Sequence, residues 1–290
     1  MANTIALAKN YTSILDEVYK KASVTADLTS DNTMVRAGAN TNEIVYPQIS
    51  VSGLGDYDRN SGYTNGSVNL EWKTATFNYD RGTKISVDVM DNEESRDIAF
   101  TMAGSELMRT KVAPEADAFV FATLAGKTGI SKATPETYAD ATAFLTALIE
   151  AKNTMDEDEV PEEGRILYAT PTLLNGVMAL DTTKSREVLA TFSKTVKVPQ
   201  SRFYTAIDLL DGKTSGEEAG HYAKASTGKD INFMIVHKPA VIKFDKHTAS
   251  DIIPASANAN ADADISKYRK YGIVDVYDNK VAGIYLSHKA

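Results

Sequence analysis

The sequence predicts an α+β fold, and three observations predict it. Residues 68–90, VNLEWKTATFNYDRGTKISVDVM, alternate apolar and polar positions as half-buried strands do. Directly after them, residues 91–125 repeat apolar side chains at helical spacing over an unusual length. Further strand-like runs collect in the second half without alternating regularly with helices, which argues against a doubly wound sheet.

Ile5, Leu7, Tyr11, Ile14, Leu15, Val18 and Tyr19 make a helix-like stripe within residues 4–28, and residues 22–42 are small and polar with no strong period. That pattern predicts an extended arm with little packing of its own. IVYPQISV (44–51) reads as a strand, and Pro47, which cannot donate to a ladder, places it at an edge. The stretch GLGDYDRNSGYTNGS (53–67) is rich in Gly, Asn, Ser and Asp and predicts a loop. Within 68–90, Val68, Leu70 and Trp72 share one face early, and Ile85, Val87 and Val89 share one late. Asp80-Arg81-Gly82 between them predicts a hairpin turn. Together with 44–51 this makes a long two-stranded excursion. Such an excursion is marginal alone in water, so it is expected to lie on its own body or on a neighbour.

Asp91 and Glu94 open the long helix in the manner of a capping box. Ile98, Met102, Leu107, Val112, Phe119, Val120 and Leu124 carry it, and Gly126 and Gly129 end it. At 1.5 Å per residue it would measure about 50 Å. A second helix is expected at 136–153, running into the acidic loop MDEDEVPEEG. RILYAT (165–170) predicts a strand and PTLLNGVMAL (171–180) a helix opened by Pro171. Residues 181–230 are mixed. INFMIVH (231–237) and AVIKFD (240–245) predict strands joined by Lys238-Pro239, and two closing strands are expected around Asp278-Asn279-Lys280.

Composition removes several function classes. The chain of 290 residues carries a formal charge of −8, which does not suggest a domain devoted to nucleic-acid phosphate, since those carry clustered Lys and Arg. It has no cysteine, so disulfide, thiol, thiolate-zinc and iron–sulfur chemistry drop out. Neither a secretory signal nor an apolar run of the ~20 residues that span a bilayer is evident, and a soluble protein made in the cytoplasm is expected. Gly-Lys-Thr occurs at 126–128 and 212–214, but Phe121 and Ile207 stand where a phosphate loop needs its first glycine. Gly53-x-Gly55 meets Asp58 where a dinucleotide fingerprint needs glycine. His221, His237, His247 and His288 lack ligand spacing, and the acidic run Asp156-Glu157-Asp158-Glu159, with Glu162 and Glu163 beyond, lacks the pattern of a calcium loop. No cofactor or metal is expected.

The stretch KVAPEADAFVF (111–121) offers one possible acidic pair, Glu115 and Asp117. Residues two apart on a helix project about 200° from each other, so the two carboxylates cannot share a ligand or a proton. Pro114 removes a backbone donor and kinks or restarts the helix, and acids directly after it suit a helix start. Glu115 also stands at ion-pair spacing from Lys111. The motif reads as architectural, with Phe119 and Val120 anchoring the second half of the helix in the core.

Taken in order, LEWKTATFNYDRGTKISVDVMDNEES (70–95), KVAPEADAFVF, GRILYATPTLLNGVM (164–178), HKPAVIKFDK (237–246) and ADADISKYRKYGIVDVYDNKVAGIY (261–285) resemble the major capsid proteins of tailed bacteriophages. The resemblance is to the Hong Kong 97-type fold, as found in siphophages and prophages of Gram-positive bacteria, and covers essentially the whole chain. It implies an N-terminal arm at 1–49 and an extended hairpin loop at 50–88. It implies a peripheral domain at 89–136 and 239–275, with a spine helix at 91–125, and an axial domain at 137–238 and 276–290. The function it implies is self-assembly into hexamers and pentamers of an icosahedral shell around DNA held non-specifically. A scaffold protein, a portal and head-completion or decoration proteins are the other implied partners. The implied location is the virion, with assembly in the host cytoplasm. Candidate contacts between subunits are Tyr57, Arg59 and Tyr63 at the hairpin tip, Trp72, Tyr79 and Arg81 on the hairpin, and Glu93, Glu94, Arg96 and Arg109 on the spine. The stretch before the hairpin is too short for a large scaffolding segment, so a separate scaffold or a processed form is expected. No position matches a crosslinking motif. A nanocompartment shell of the encapsulin type would share the fold, and a carboxylate-dependent enzyme is the alternative from another class.

Overall fold

The computed structural model describes residues 23–30, 36–37, 42–60, 62–94, 104 and 106–290, with backbone alone at 36–37 and 92–94. The chain divides into two units, residues 31–78 and the remainder.

The smaller unit is a three-stranded antiparallel sheet of β1 (Arg36–Ala37), β2 (Glu43–Val51) and β3 (Val68–Thr76), in that order. β2 and β3 form the long hairpin, in unbroken register from Glu43↔Thr76 to Val51↔Val68. Residues 52–67 are its tip.

In the larger unit the chain resumes as β4 (Tyr79–Asp88), passes into helix α1 (Val89–Glu94) and returns as a π-helical turn, Met108–Val112, that leads straight into α2 (Ala113–Gly126). There follow β5 (Ser131–Lys132), α3 (Ala141–Glu157), β6 (Arg165–Ala169), α4 (Pro171–Leu180), α5 (Thr183–Ala190) and β7 (Lys194–Lys197). The short strands β8 (Ile207–Leu209) and β9 (Tyr222–Lys224) precede β10 (Ile231–His237), β11 (Val241–Ile253), β12 (Ala263–Val276) and β13 (Ile284–His288).

Two sheets organise this unit. One runs β5-β13-β10-β6-β7, the other β11-β12-β4. In the first, alternate residues serve two cores. Ile166, Tyr168, Met234, Val236, Ile284 and Leu286 pack with Phe121 and Leu124 of α2. Leu167, Ala169, Phe233, Ile235 and Tyr285 pack with Phe144, Leu148 and Met155 of α3 and Leu174 and Val177 of α4. Burial on both faces explains why RILYA and INFMIV read as continuous apolar runs instead of alternating ones.

Four expectations are corrected. The turn at Asp80-Arg81-Gly82 does not exist. β4 runs through it, because β12 supplies a full ladder from Gly272↔Tyr79 to Ala263↔Asp88. Gly82 marks a close approach instead, since a Cβ there would sit 2.8 Å from the Tyr268 carbonyl oxygen. The second helix begins at Ala141, where the Asp140 carboxylate accepts from the Ala143 amide at 2.8 Å. It extends to Glu157, absorbing the start of the acidic run. Strand 240–245 is the first part of a 13-residue β11, interrupted by a bulge between Asp245 and His247. The long helix does not start with a box of Asp91 and Glu94: α1 begins at Val89, Asp91 lies within it, and the Asp88 carboxylate accepts from the Met90 amide at 2.9 Å. The early helix-like stripe, Ile98 and Met102 lie outside the described residues.

Pro114 acts as the sequence implies, but gently. The helical backbone carries through it, and the preceding turn widens so that the Ala113 amide donates to Met108 O, five residues back. A π-turn absorbs the missing donor and the ring clash that a proline imposes on a regular helix.

The segment 23–30 departs from the picture of a loosely packed arm. Leu28 is fully buried in the core beside α2, and Ser30 bonds to β11 at Lys243 and Val241.

Candidate functional site

Glu115 and Asp117 point to different sides of α2, and each is an anchor. Asp117 is fully buried. It accepts from Ser23 Oγ (2.8 Å), Val24 N (3.1 Å), Thr25 N (3.2 Å), Thr25 Oγ1 (2.8 Å) and Arg202 Nη1 (3.1 Å). On the far side of Thr25, Lys243 Nζ donates to its carbonyl oxygen (2.6 Å) and its Oγ1 (3.0 Å). Burial, and secondarily the nearby Lys270 ammonium, push the Lys243 pKa down to about 8. Residues 23–30 are thus strapped between two buried charges of opposite sign.

Glu115 faces β4. Arg81 grips it through Nε (2.7 Å to Oε1) and Nη2 (3.2 Å to Oε2), and Tyr79 Oη donates at 3.2 Å. His221 Nδ1 stands 3.5 Å from Oε2, and Arg81 Nη2 reaches on to the His221 carbonyl oxygen at 3.1 Å. Burial pulls the Glu115 pKa upward, but the facing His221 ring and the hydrogen bonds from Arg81 and Tyr79 outweigh it, leaving the carboxyl below the usual range. The bidentate grip raises Arg81 in turn. Arg81, reached through the fold, takes the partner role that helical spacing assigns to Lys111. Neither carboxylate faces an open donor set, and among the described residues no three His, Asp or Glu side chains gather as a metal site.

The candidate contact residues separate into three groups. Tyr57, Arg59, Tyr63 and Trp72 are exposed on the hairpin and its tip, and Tyr57 and Tyr63 meet edge to face at 4.8 Å. Tyr79 and Arg81 are turned inward on Glu115, and Tyr79 also packs on Phe119 at 4.9 Å. Arg109 is exposed and pairs with Glu106 at 2.8 Å. Arg96 and the side chains of Glu93 and Glu94 lie outside the described residues.

The sequence placed Val68, Leu70 and Trp72 on one face, and the register completes that apolar face with Pro47, Ile49 and Val51 of β2. Pro47↔Trp72, Ile49↔Leu70 and Val51↔Val68 stand side by side. Ile49 is 62 % exposed, Val51 69 %, Val68 73 %, Leu70 51 % and Trp72 49 %. The opposite face carries Gln48, Ser50, Asn69 and Glu71. The alternation in 44–51 and 68–72 was the available signal.

No family model and no curated protein sequence matches the chain. Solved structures do. A capsid structure of the cyanophage P-SCSP1u superposes with a TM-score of 0.60 at 15 % identity, covering 93 % of this chain and 88 % of that one. The mature capsid of bacteriophage PhiM1 gives 0.60 at 13 % identity over 88 % and 84 %. A virus-like particle from Pyrococcus furiosus gives 0.60 at 9 % identity over 97 % and 99 %. With its long hairpin, its π-turned spine and its two sheets, the chain has the Hong Kong 97-type fold of phage major capsid proteins.

Proposed function

We propose that this chain is a major capsid protein whose copies assemble into the hexamers and pentamers of an icosahedral shell around phage DNA. The observation that carries the reading is the hairpin's apolar face. Five large side chains in register stand exposed on a two-stranded ribbon. Contiguous apolar patches of that kind mark surfaces completed by another molecule, and a capsid fold makes that molecule a neighbouring copy.

In this reading residues 1–49 are the arm, 50–88 the extended loop, 89–136 with 239–275 the peripheral domain, and 137–238 with 276–290 the axial domain. Tyr57, Arg59, Tyr63 and Trp72 contact neighbours, with Arg109 on the spine. A scaffold protein, a portal and head-completion proteins are the other partners, the host cytoplasm is the place of assembly and the virion the destination. A nanocompartment shell is the second reading, since such a shell would share this fold.

Size-exclusion chromatography with negative-stain microscopy tests the proposal. Particles or capsomers are expected from the purified chain, with or without a co-expressed scaffold. A monomer at all concentrations and salt strengths, scaffold present, would sink it. Particles that protect protein cargo but no DNA would move the assignment to the nanocompartment.

A further inference from the structure

The Arg81–Glu115–His221 cluster does more than fill a corner. It closes a second, shorter hairpin against the body. β8 and β9 pair through only three rungs, Ile207↔Lys224, Asp208↔Ala223 and Leu209↔Tyr222. Beyond them the tip, residues 210–221, contributes no buried side chain. A ribbon this short has little stability of its own.

The tip nevertheless keeps a shape of its own. The Asp211 carboxylate accepts from Lys213 N (2.7 Å), Thr214 N (2.8 Å) and Thr214 Oγ1 (2.7 Å), and these bonds hold its pKa down at about 2. Asp211 N donates to Glu217 Oε2, and Gly220 N to Glu217 O. These bonds tie the two sides of the tip together. Left-handed backbone occurs at both ends, at Gly212 (φ 71°), Gly220 (φ 60°) and His221 (φ 74°), and at mid-tip Gly216 (φ 91°). A non-glycine residue there stores strain that the surroundings must hold.

Glu115 holds it. The carboxylate fixes the Arg81 guanidinium, which bonds the His221 carbonyl oxygen, and it faces the His221 ring directly. Beneath the tip lies a cleft of about 350 Å³, walled by Arg81, Lys111, Glu115, Gly212, His221 and Tyr268.

We propose that residues 210–221 are a flap over this cleft and that Glu115 is its latch, so that the flap opens while the body stays folded. Flap and latch belong to one chain and act whether or not copies assemble.

Lys213, exposed on the tip, makes the latch readable by limited trypsin digestion of the full-length protein under native conditions. Glu115→Gln keeps the shape of the side chain but removes the charge that orients Arg81. It should accelerate cleavage at Lys213 at least tenfold, with cleavage at Lys184 of α5 unchanged, and speed amide exchange across 210–221 alone. His221→Asn, which tolerates the left-handed backbone and keeps the carbonyl, should give a much smaller acceleration. Unchanged cleavage at Lys213 in Glu115→Gln would overturn the proposal. So would equal acceleration at Lys184 and Lys213, which would mark Glu115 as a support of the whole body.

Discussion

The β2–β3 hairpin and the β6–β10 pair are both apolar, and they meet opposite fates. All five residues of β6 and six of seven in β10 are buried, between α2 on one face and α3 and α4 on the other. Of the nine residues of β3, Ala75 alone is buried. Burying a large apolar side chain stabilises by about 1.5–3 kcal/mol. The five exposed side chains on the hairpin therefore leave something on the order of 5 kcal/mol unrealised in the isolated chain. One pair of strands is buried inside the molecule, and the other leaves its apolar face exposed in the single chain. Mutations in the two regions should consequently fail in different assays.

The largest effect is expected in the body, at Asp117. Asp117→Ala strips the buried acceptor from Arg202 and from the strap at 23–25. Removing one partner of a buried charge cluster costs about 3–5 kcal/mol. Urea unfolding should show that loss. A variant within about 1 kcal/mol of wild type would mean that the strap contributes little.

Lys243 gives a pH-dependent version of the same test. Its folded pKa of about 8 lies below the usual lysine value of 10.5, so the folded state binds fewer protons between those limits. Stability therefore carries the full burial cost below pH 8 and gains as pH rises toward 10.5. Relative to Lys243→Met, wild type should gain about 3 kcal/mol across that window. Parallel stability curves for the two proteins would contradict the assignment.

Trp72→Ala should invert the pattern. Half-exposed in the single chain, Trp72 supports little fold stability, and its loss should change unfolding by no more than about 0.5 kcal/mol. Association should weaken by about 2 kcal/mol or more per contact, as for a buried aromatic anchor. Sedimentation at several concentrations separates the two effects. A variant that unfolds early yet assembles normally would break the comparison.

The smallest effect is expected at the exposed Arg269–Asp80 pair on the β12–β4 ladder, 2.7 Å apart. Solvent screens such pairs, and Asp80→Asn should leave both the melting curve and assembly unchanged. A measurable shift in either would show that this sheet face is covered.

Much of the fold was legible because local pattern and tertiary role agree. The strands at 44–51, 165–169 and 231–237, the proline-led α4 and the loop at 52–67 follow from periodicity and turn chemistry. The false turn at 80–82 shows where local reading stops. Asp-Arg-Gly has turn composition, but β12, some 190 residues away in sequence, imposes a strand, and the glycine is there for a close approach. The opposed projection of Glu115 and Asp117 followed from helix geometry alone. Their partners did not, because Ser23, Thr25, Arg81, Arg202 and His221 are brought in by tertiary folding. The start of α3 was missed because Asp140 looks like one more polar residue until its carboxylate is seen to cap Ala143.

β12 has a mechanical consequence. Fourteen residues long, it spans about 46 Å at 3.3 Å per residue and is laddered on both sides, to β11 and to β4. Ladder bonds lie across the strands, so a pull along β12 strains its rungs together instead of one after another. Tension along that axis meets a stiff, brittle tie rod, whereas peeling from either edge opens one rung at a time. A wall built from such pieces resists stretching best where the rods lie along the load.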